Sequence, residues 1–267
     1  MTGTTTIRVE GAGVEYRQDG TGPDLLLLHS LLAEMSVFGS VVPALARTHR
    51  VTRINLPGFG ASEPVELDSV AEHADHVART IAALGLPPTT DVFGNGFGAF
   101  VALELAIGHG GRIGRLMVAD TAPGFPEAAK APFRAMAEKV LTSGMNAVLD
   151  AAIGRMFPAA FQEAHPHVVV ARKAALAPTD ADCFARACLA LAALDLGPRL
   201  PGIRNPTLVM CGALDQTTPP ALAREVARAI PGAIYREIEG SGHCPMLEQP
   251  DALVALLDSF ASGSIDG

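Results

Sequence analysis

The sequence predicts an α/β protein with a mainly parallel central sheet, flanking helices and an inserted helical segment. Three observations support this prediction. Short apolar runs alternate with helical patterns over residues 25–119 and again over residues 207–238. Strand patterns stop between residues 121 and 200, where only helical patterns follow one another. The 267 residues are 49% hydrophobic, which is enough to bury a large core.

The first elements are expected to form a hairpin. Residues 7–10 and 14–17 alternate apolar and polar side chains about a turn at residues 11–13. This pattern indicates an antiparallel edge with one face in solvent.

The remaining strands are expected to be mainly parallel, because several are apolar on both faces. Helices at residues 69–84 and 221–229 would provide right-handed crossovers between them. These strands are predicted at residues 25–28, 51–54, 91–93, 116–119, 207–210 and 234–238.

The helical segment is interpreted as a cap that encloses a small ligand over the strand ends. Prolines mark both of its edges. We predict a core of residues 1–122 and 198–267 and a helical cap of residues 123–197. Its helices are expected at residues 133–141, 145–156, 168–176 and 182–194.

Composition excludes several kinds of partner. A net charge of −8 and a pI near 5.4 give no basic field for nucleic acid or an anionic membrane. The four cysteines form no C-x-x-C pair, so reduced buried thiols are expected. The first residues lack a signal-peptide pattern, and no apolar run reaches membrane-spanning length. We expect a soluble cytoplasmic protein whose partner is a small molecule.

The most informative motif is GNGFG at residues 94–98. In the G-x-S-x-G nucleophile elbow, a serine occupies a tight turn between a strand and a helix. Residues 91–93 are predicted as that strand and residues 99–106 as that helix, but the serine position is Gly96. The motif therefore predicts the elbow without its attacking oxygen.

Five motifs in order make the chain resemble the α/β-hydrolase superfamily over nearly its whole length. They are HSLL at 29–32, LPGFGAS at 56–62, GNGFG at 94–98, CGALD at 211–215 and GSGH at 240–243. The order of elbow, acid and histidine is the order of that fold. The cap resembles that of the 3-oxoadipate enol-lactonase branch.

The resemblance implies a role for each of five residues. His243 would be the general base and Asp215 the acid that orients it. The backbone N–H groups of Leu31 and Phe97 would form the oxyanion hole. Gly96 would stand at the nucleophile position with no serine.

Three polar residues beside these are expected to contact substrate: His29, Ser30 and Asn95. Asn95 would either donate an amide hydrogen bond beside the pocket or fix the turn. Ser30 and Cys244 are alternative nucleophiles, but the sequence shows no group that would activate either one.

No metal or organic cofactor is expected. His73 and His76 lie on a helix whose charged neighbours indicate a solvated face, with no third metal ligand in the sequence. Residues 58–60 lack the remaining features of a dinucleotide-binding fingerprint.

These residues predict an enzyme that acts on a small carbonyl compound, ester or lactone without a serine nucleophile. An Asp–His base would activate water or abstract a proton, and the oxyanion hole would stabilise the anion formed. Two alternatives stay open. One is a serine ester or lactone hydrolase inactivated by an engineered serine-to-glycine change at Gly96, and the other is a non-catalytic ligand-binding protein.

Overall fold

A computed structural model describes residues 5–265 and contains an eight-stranded sheet of order β1-β2-β4-β3-β5-β6-β7-β8. The β1–β2 and β2–β4 pairs are antiparallel and every other pair is parallel, so the predicted mainly parallel sheet is confirmed. The predicted core segments also include residues 1–4 and 266–267, which lie outside the described residues. The strands are β1 Thr5–Val9, β2 Ala12–Asp19, β3 Asp24–Leu28, β4 Arg50–Ile54, β5 Asp91–Asn95, β6 Leu116–Ala119, β7 Thr207–Gly212 and β8 Ile234–Ile238.

The central strands are buried along their whole length. All residues of β3, β5, β6 and β7 are inaccessible to solvent, as expected for parallel strands covered on both faces. β8 lies at the edge and is only partly buried.

The helices cover both faces of the sheet and form the segment between β6 and β7. The second helix begins with a capping box. The Ser69 side chain accepts the N–H of Glu72, and the Glu72 carboxylate accepts the N–H of Ser69. The helices are α1 Val42–Leu45, α2 Val70–Ala83, α3 Phe97–His109, α4 Glu127–Ser143, α5 Leu149–Met156, α6 Ala159–Ala164, α7 Pro166–Leu176, α8 Ala181–Ala193, α9 Pro220–Ala229, α10 Pro245–Glu248 and α11 Pro250–Ala261.

Several local predictions were wrong. The hairpin turn lies at Glu10 and Gly11, because Ala12 already pairs with Val9. The predicted helix at residues 145–156 is a short 3₁₀ turn followed by α5, and α4 begins six residues before its predicted start at Phe133. α6 and α11 were not predicted.

Parallel strands bring their following loops to one edge of the sheet. The loops after β3, β5, β7 and β8 carry Ser30, Gly96, Asp215 and His243. Residues of α4 and α5 line the same cavity as all four of these loops, so the helical segment lies over the strand ends. Within residues 5–265, none of the helices combines the length and apolarity needed to cross a bilayer. The cytoplasmic location stays a prediction.

Candidate active site

Gly96 is the single residue between β5 and α3, and its backbone is in the left-handed region at φ 54° and ψ −117°. The turn is tight, because a β-carbon at Gly94 or Gly98 would lie less than 3.0 Å from backbone atoms of the neighbouring segments. A β-carbon at Gly96 would meet side chains instead, with Ser30 Oγ closer than 3.0 Å and His243 Nε2 at 2.9 Å. The predicted elbow is present, and it faces both Ser30 and His243.

Asp215 and His243 form a buried pair. The Nδ1 atom of His243 lies 2.8 Å from Oδ2 of Asp215, and both residues are at least 95% buried. Asp215 Oδ1 accepts the N–H groups of Thr217 at 2.7 Å and Thr218 at 3.2 Å. The hydroxyl of Thr218 donates to Oδ2 at 2.8 Å. These bonds fix the carboxylate that orients the imidazole.

The pair favours its charged form. Burial opposes the imidazolium, but the charge and hydrogen bond of Asp215 outweigh burial and raise the pKa of His243 to about 9. Burial likewise opposes the carboxylate, and the attraction of His243 with the threonine bonds lowers the pKa of Asp215 to about 2. With Nδ1 directed at Asp215, Nε2 is the atom that faces the cavity.

Glu248 fixes the loop that carries His243. Its Oε2 accepts the N–H of Gly242 at 2.7 Å, and its Oε1 accepts the N–H of Cys244 at 2.8 Å. The N–H of His243 donates to the carbonyl of Met156 in α5 at 3.1 Å. The loop of His243 is therefore held from both sides and is tied directly to the helical segment. Glu248 was missed because its role depends on a turn that the sequence does not reveal.

Leu31 and Phe97 provide two backbone donors beside the elbow. Both residues line the cavity, and within residues 5–265 neither N–H donates to a protein acceptor. Phe97 is the first residue of α3, where backbone N–H groups have no helical partner and favour negative charge. This arrangement suits an oxyanion.

Ser30 lies in the cavity wall and His29 does not. The Nδ1–H of His29 donates to the carbonyl of Ser30 at 2.8 Å, and its Nε2 accepts the N–H of Leu56 at 3.0 Å. With both ring nitrogens bonded to backbone and the residue 0% exposed, His29 is not a substrate contact. That prediction was wrong, and His29 instead positions the Ser30 loop.

Asn95 is also structural. It is 1% exposed, and its Nδ2 donates to Asp120 Oδ2 at 2.7 Å and to the carbonyl of His243 at 3.2 Å. The substrate contact predicted for Asn95 was therefore wrong, because its amide is used to join the elbow to the histidine loop.

Asp120 is a second buried acid beside the pair, and the sequence analysis missed it. Its Oδ1 accepts the N–H of Gly212 at 2.9 Å, and its backbone has a positive φ of 59°. Burial and the nearby charge of Asp215 raise the pKa of Asp120 to about 8. Its position directly after a buried strand was the available signal.

Potential metal-ligand atoms of Asp120, Cys211 and Asp215 lie within 4.8 Å of one another. The carboxylate oxygens already accept hydrogen bonds, and burial raises the pKa of the Cys211 thiol and opposes the thiolate that a metal needs. This chemistry does not favour a metal, and the prediction of none stays a prediction.

The prediction of a solvated His73 and His76 was wrong. Both are 2% exposed, because this face of α2 packs against α3. The ring of His73 contacts Phe97 edge-on at a centroid distance of 5.0 Å, and burial lowers the pKa of His73 to about 3.

The cavity over the pair has a volume of about 830 Å³. Its wall is mainly apolar, contains the basic residues Lys139 and Arg155, and includes no acidic residue from the described part of the chain. The large apolar side chains in the wall are Phe100, Phe125, Phe133, Met136, Met156, Phe157 and Leu191.

A mainly parallel sheet with a tight elbow at positive φ, a buried Asp–His pair and two backbone N–H groups without acceptors among residues 5–265 defines an α/β-hydrolase-type protein. The sequence profile of the alpha/beta hydrolase family matches residues 25–256, and the chain belongs to that family.

Its relatives include esterases and lactonases. The chain is 28% identical over 258 residues to a pimeloyl-[acyl-carrier protein] methyl ester esterase of Nitrosomonas europaea, covering 93% of this chain and 100% of that protein. It superposes on the enol-lactonase of Burkholderia xenovorans LB400 with a TM-score of 0.90 and 31% identity, over 97% of this chain and 100% of that chain. It is also 29% identical over 262 residues to polyketide synthase ThaQ of Burkholderia thailandensis. That match covers 94% of this chain but only 12% of the synthase.

Proposed function

We propose that this chain hydrolyses small carboxylic esters or lactones with the Asp215–His243 pair as its base and without a nucleophile at residue 96. The 2.8 Å contact of the pair, next to an apolar cavity of about 830 Å³, is the observation that carries the proposal. Esterase and enol-lactonase relatives support this substrate class.

In the proposed reaction, Nε2 of His243 takes a proton from the water molecule that attacks the substrate carbonyl carbon, and Asp215 stabilises the imidazolium that forms. The carbonyl oxygen becomes an oxyanion that accepts the N–H groups of Leu31 and Phe97. Collapse expels the alcohol oxygen, which receives the proton from His243. The product is a carboxylic acid, with the alcohol attached to the same molecule when the substrate is a lactone.

In the same proposal, residues 123–197 act as a cap over the core formed by residues 1–122 and 198–267. Contact of the cap with the base through Met156 supports this division. The apolar wall favours substrates with an apolar acyl or aryl part.

The test is turnover of a panel of aryl esters and lactones by the unmodified chain and by His243→Ala. We expect His243→Ala to lower kcat/KM by about 100-fold or more, within the range for loss of a general base. The exposed His167 of α7 provides the matched control, and His167→Ala is expected to keep full activity. Equal rates for the unmodified chain and His243→Ala would refute the proposal.

Gly96→Ser, measured on the same panel, separates this function from that of a disabled serine hydrolase. His243-dependent turnover with Gly96 in place supports the proposal. Turnover that begins only with Gly96→Ser would instead support the inactivated serine enzyme, and ligand binding with no turnover in either form would support a binding protein.

A further inference from the structure

The hydroxyl oxygen of Ser30 fills the space that a side chain at residue 96 would use. A β-carbon built on Gly96 would come within 3.0 Å of Ser30 Oγ, a separation that real β-carbons do not show. The same position is 2.9 Å from His243 Nε2. The β-carbon position of residue 96 is therefore adjacent to both Ser30 Oγ and the cavity-facing Nε2 of His243.

Ser30 Oγ has no hydrogen-bond partner within residues 5–265, although the residue is only 2% exposed. Its backbone, in contrast, is fixed, because the Ser30 carbonyl accepts the ring N–H of His29 at 2.8 Å and the N–H of Ala33 at 3.2 Å. These two bonds hold the backbone of Ser30 in a residue that lines the cavity.

Two other groups near His243 do not have this placement: the Thr218 hydroxyl donates to Asp215 Oδ2 at 2.8 Å, and the Cys244 thiol is buried. Cys244 is 0% exposed and is not part of the cavity wall, and burial raises the pKa of its thiol well above the usual value. It cannot readily provide a thiolate to a substrate.

We propose that Ser30 supplies the nucleophilic oxygen in place of residue 96, so that the reaction passes through an ester of Ser30. This rests on the proposed function, and it replaces direct attack by water with attack by Ser30. Gly96 then has a positive role, because the absence of a side chain there leaves the space between Ser30 Oγ and His243 Nε2 open.

The same oxyanion donors are available to this nucleophile. In a nucleophile elbow one donor is the N–H of the residue that follows the nucleophile. Leu31 follows Ser30, Phe97 follows Gly96, and both line the cavity.

The proposed reaction has two steps, acylation of Ser30 and hydrolysis of the acyl-Ser30 ester. First, Ser30 Oγ bonds to the substrate carbonyl carbon, His243 Nε2 takes the hydroxyl proton, and the alcohol leaves with that proton. A water molecule then attacks the acyl-Ser30 carbonyl while His243 takes a water proton. The carbon–Oγ bond breaks, Ser30 regains the proton, and the carboxylic acid is released.

The experiment is labelling of the unmodified chain with a fluorophosphonate, followed by peptide mapping by mass spectrometry. Serine attack forms a Ser30 O–P bond and releases fluoride, so the readout does not require a known substrate. We expect one label, on Ser30, and its loss in His243→Ala. Absence of label from Ser30, or a label only on another residue, overturns the proposal.

Turnover of the ester and lactone panel by variants tests the role of Ser30 independently of labelling. Ser30→Ala is expected to lower kcat/KM by about 100-fold or more, whereas Ser143→Ala on the exposed end of α4 should change nothing. Gly96→Ala should also abolish Ser30 labelling, because its β-carbon displaces the serine oxygen. The double variant Ser30→Gly with Gly96→Ser should move the label to residue 96.

Failure of this inference differs from failure of the proposed function. Hydrolysis that depends on His243 but survives Ser30→Ala overturns the role of Ser30 and leaves an Asp–His base acting on water. A His243-dependent label on Ser30 without hydrolysis of the panel supports Ser30 as nucleophile and refutes the proposed substrate class.

Discussion

His243 is the residue on which the site's electrostatics depend. Asp215 raises its pKa to about 9, so the imidazolium is the main form at neutral pH. Asp120, with a pKa near 8, loses its own proton in the same range and lies close enough to stabilise the imidazolium further. A base in this setting is strong, but it is available only when alkaline pH removes its proton.

We therefore predict that kcat/KM for ester or lactone hydrolysis rises through neutral pH and levels off near pH 9. Only neutral His243 accepts a proton, so below its pKa the rate should fall about tenfold per pH unit. Asp215→Asn removes the cause of the raised pKa and should shift this limb to lower pH while reducing the plateau. The measurement is kcat/KM between pH 6 and 10, with prior incubation to confirm that the enzyme stays folded. A profile that is already flat at pH 7 would contradict the prediction.

Sequence reasoning predicted that Gly96, Asp215 and His243 lie together, and the structure brings them together, while their catalytic roles stay proposals. Gly96, Asp215 and His243 follow predicted strands, and parallel strands carry such residues to one edge. It was wrong about His29 and Asn95, because a polar side chain after a strand can face either the cavity or the core backbone. It also left Ser30 without an activating partner, since its proximity to His243 arises only from the packing of two loops.

At the scale of elements, the helical segment is attached to the core by polar contacts as well as apolar packing. Arg172 of α7 donates to Glu34 Oε1 at 3.2 Å and to Ser36 Oγ at 2.9 Å. Glu34 and Ser36 follow the Ser30 loop, so this contact links α7 to the same part of the core that carries the proposed nucleophile. The Arg172 and Glu34 side chains are only 13% and 10% exposed.

We predict that Arg172→Met lowers the free energy of unfolding by about 1 to 3 kcal/mol, because it leaves a largely buried Glu34 without its ion-pair partner. Hydrogen exchange in α7 should become faster at the same time. The measurements are denaturant unfolding and hydrogen exchange by mass spectrometry. Arg134→Met is the matched control, since Arg134 pairs with Glu127 at 53% and 70% exposure and its loss should have no measurable effect. Equal effects of the two variants would contradict the prediction.

The strands were predicted from the sequence more accurately than the helices. Most strands are short apolar runs with clear limits, and each of the eight strands in residues 5–265 overlaps a predicted one. The helices of the segment between β6 and β7 were predicted less well, because their ends depend on prolines and tertiary contacts. Pro132 lies inside α4, where the sequence suggested that no helix had yet begun.

At the scale of the whole molecule, the chain forms one continuous apolar core that extends from the sheet into the helical segment. All four cysteines are buried and none is in a disulfide. Burial raises the pKa of Cys183 to about 11 and of Cys188 to about 12. Their reactivity is therefore a measure of whether the whole molecule is folded.

We predict that the native protein reacts with a thiol reagent such as DTNB at less than about a tenth of the rate of free cysteine, since both access and thiolate formation are suppressed. Unfolding in guanidinium chloride should release all four thiols. Absorbance at the thionitrobenzoate maximum gives both values. Rapid reaction of one thiol before unfolding would show that a cysteine is accessible in the native protein.

The adjacency of β3 and β5 has a consequence for how such sites can change. Because the two strands are hydrogen-bonded neighbours in the sheet, the loops that follow them end at the same point beside His243. The side chain of either residue 30 or residue 96 can place an oxygen at that point. Moving this oxygen from residue 30 to residue 96 requires no change in His243 or in the N–H groups of Leu31 and Phe97. If Ser30 is the nucleophile, two single-residue substitutions are expected to move the reactive oxygen, so a reaction centre in this fold can keep its position in space while its reactive residue lies elsewhere in the sequence.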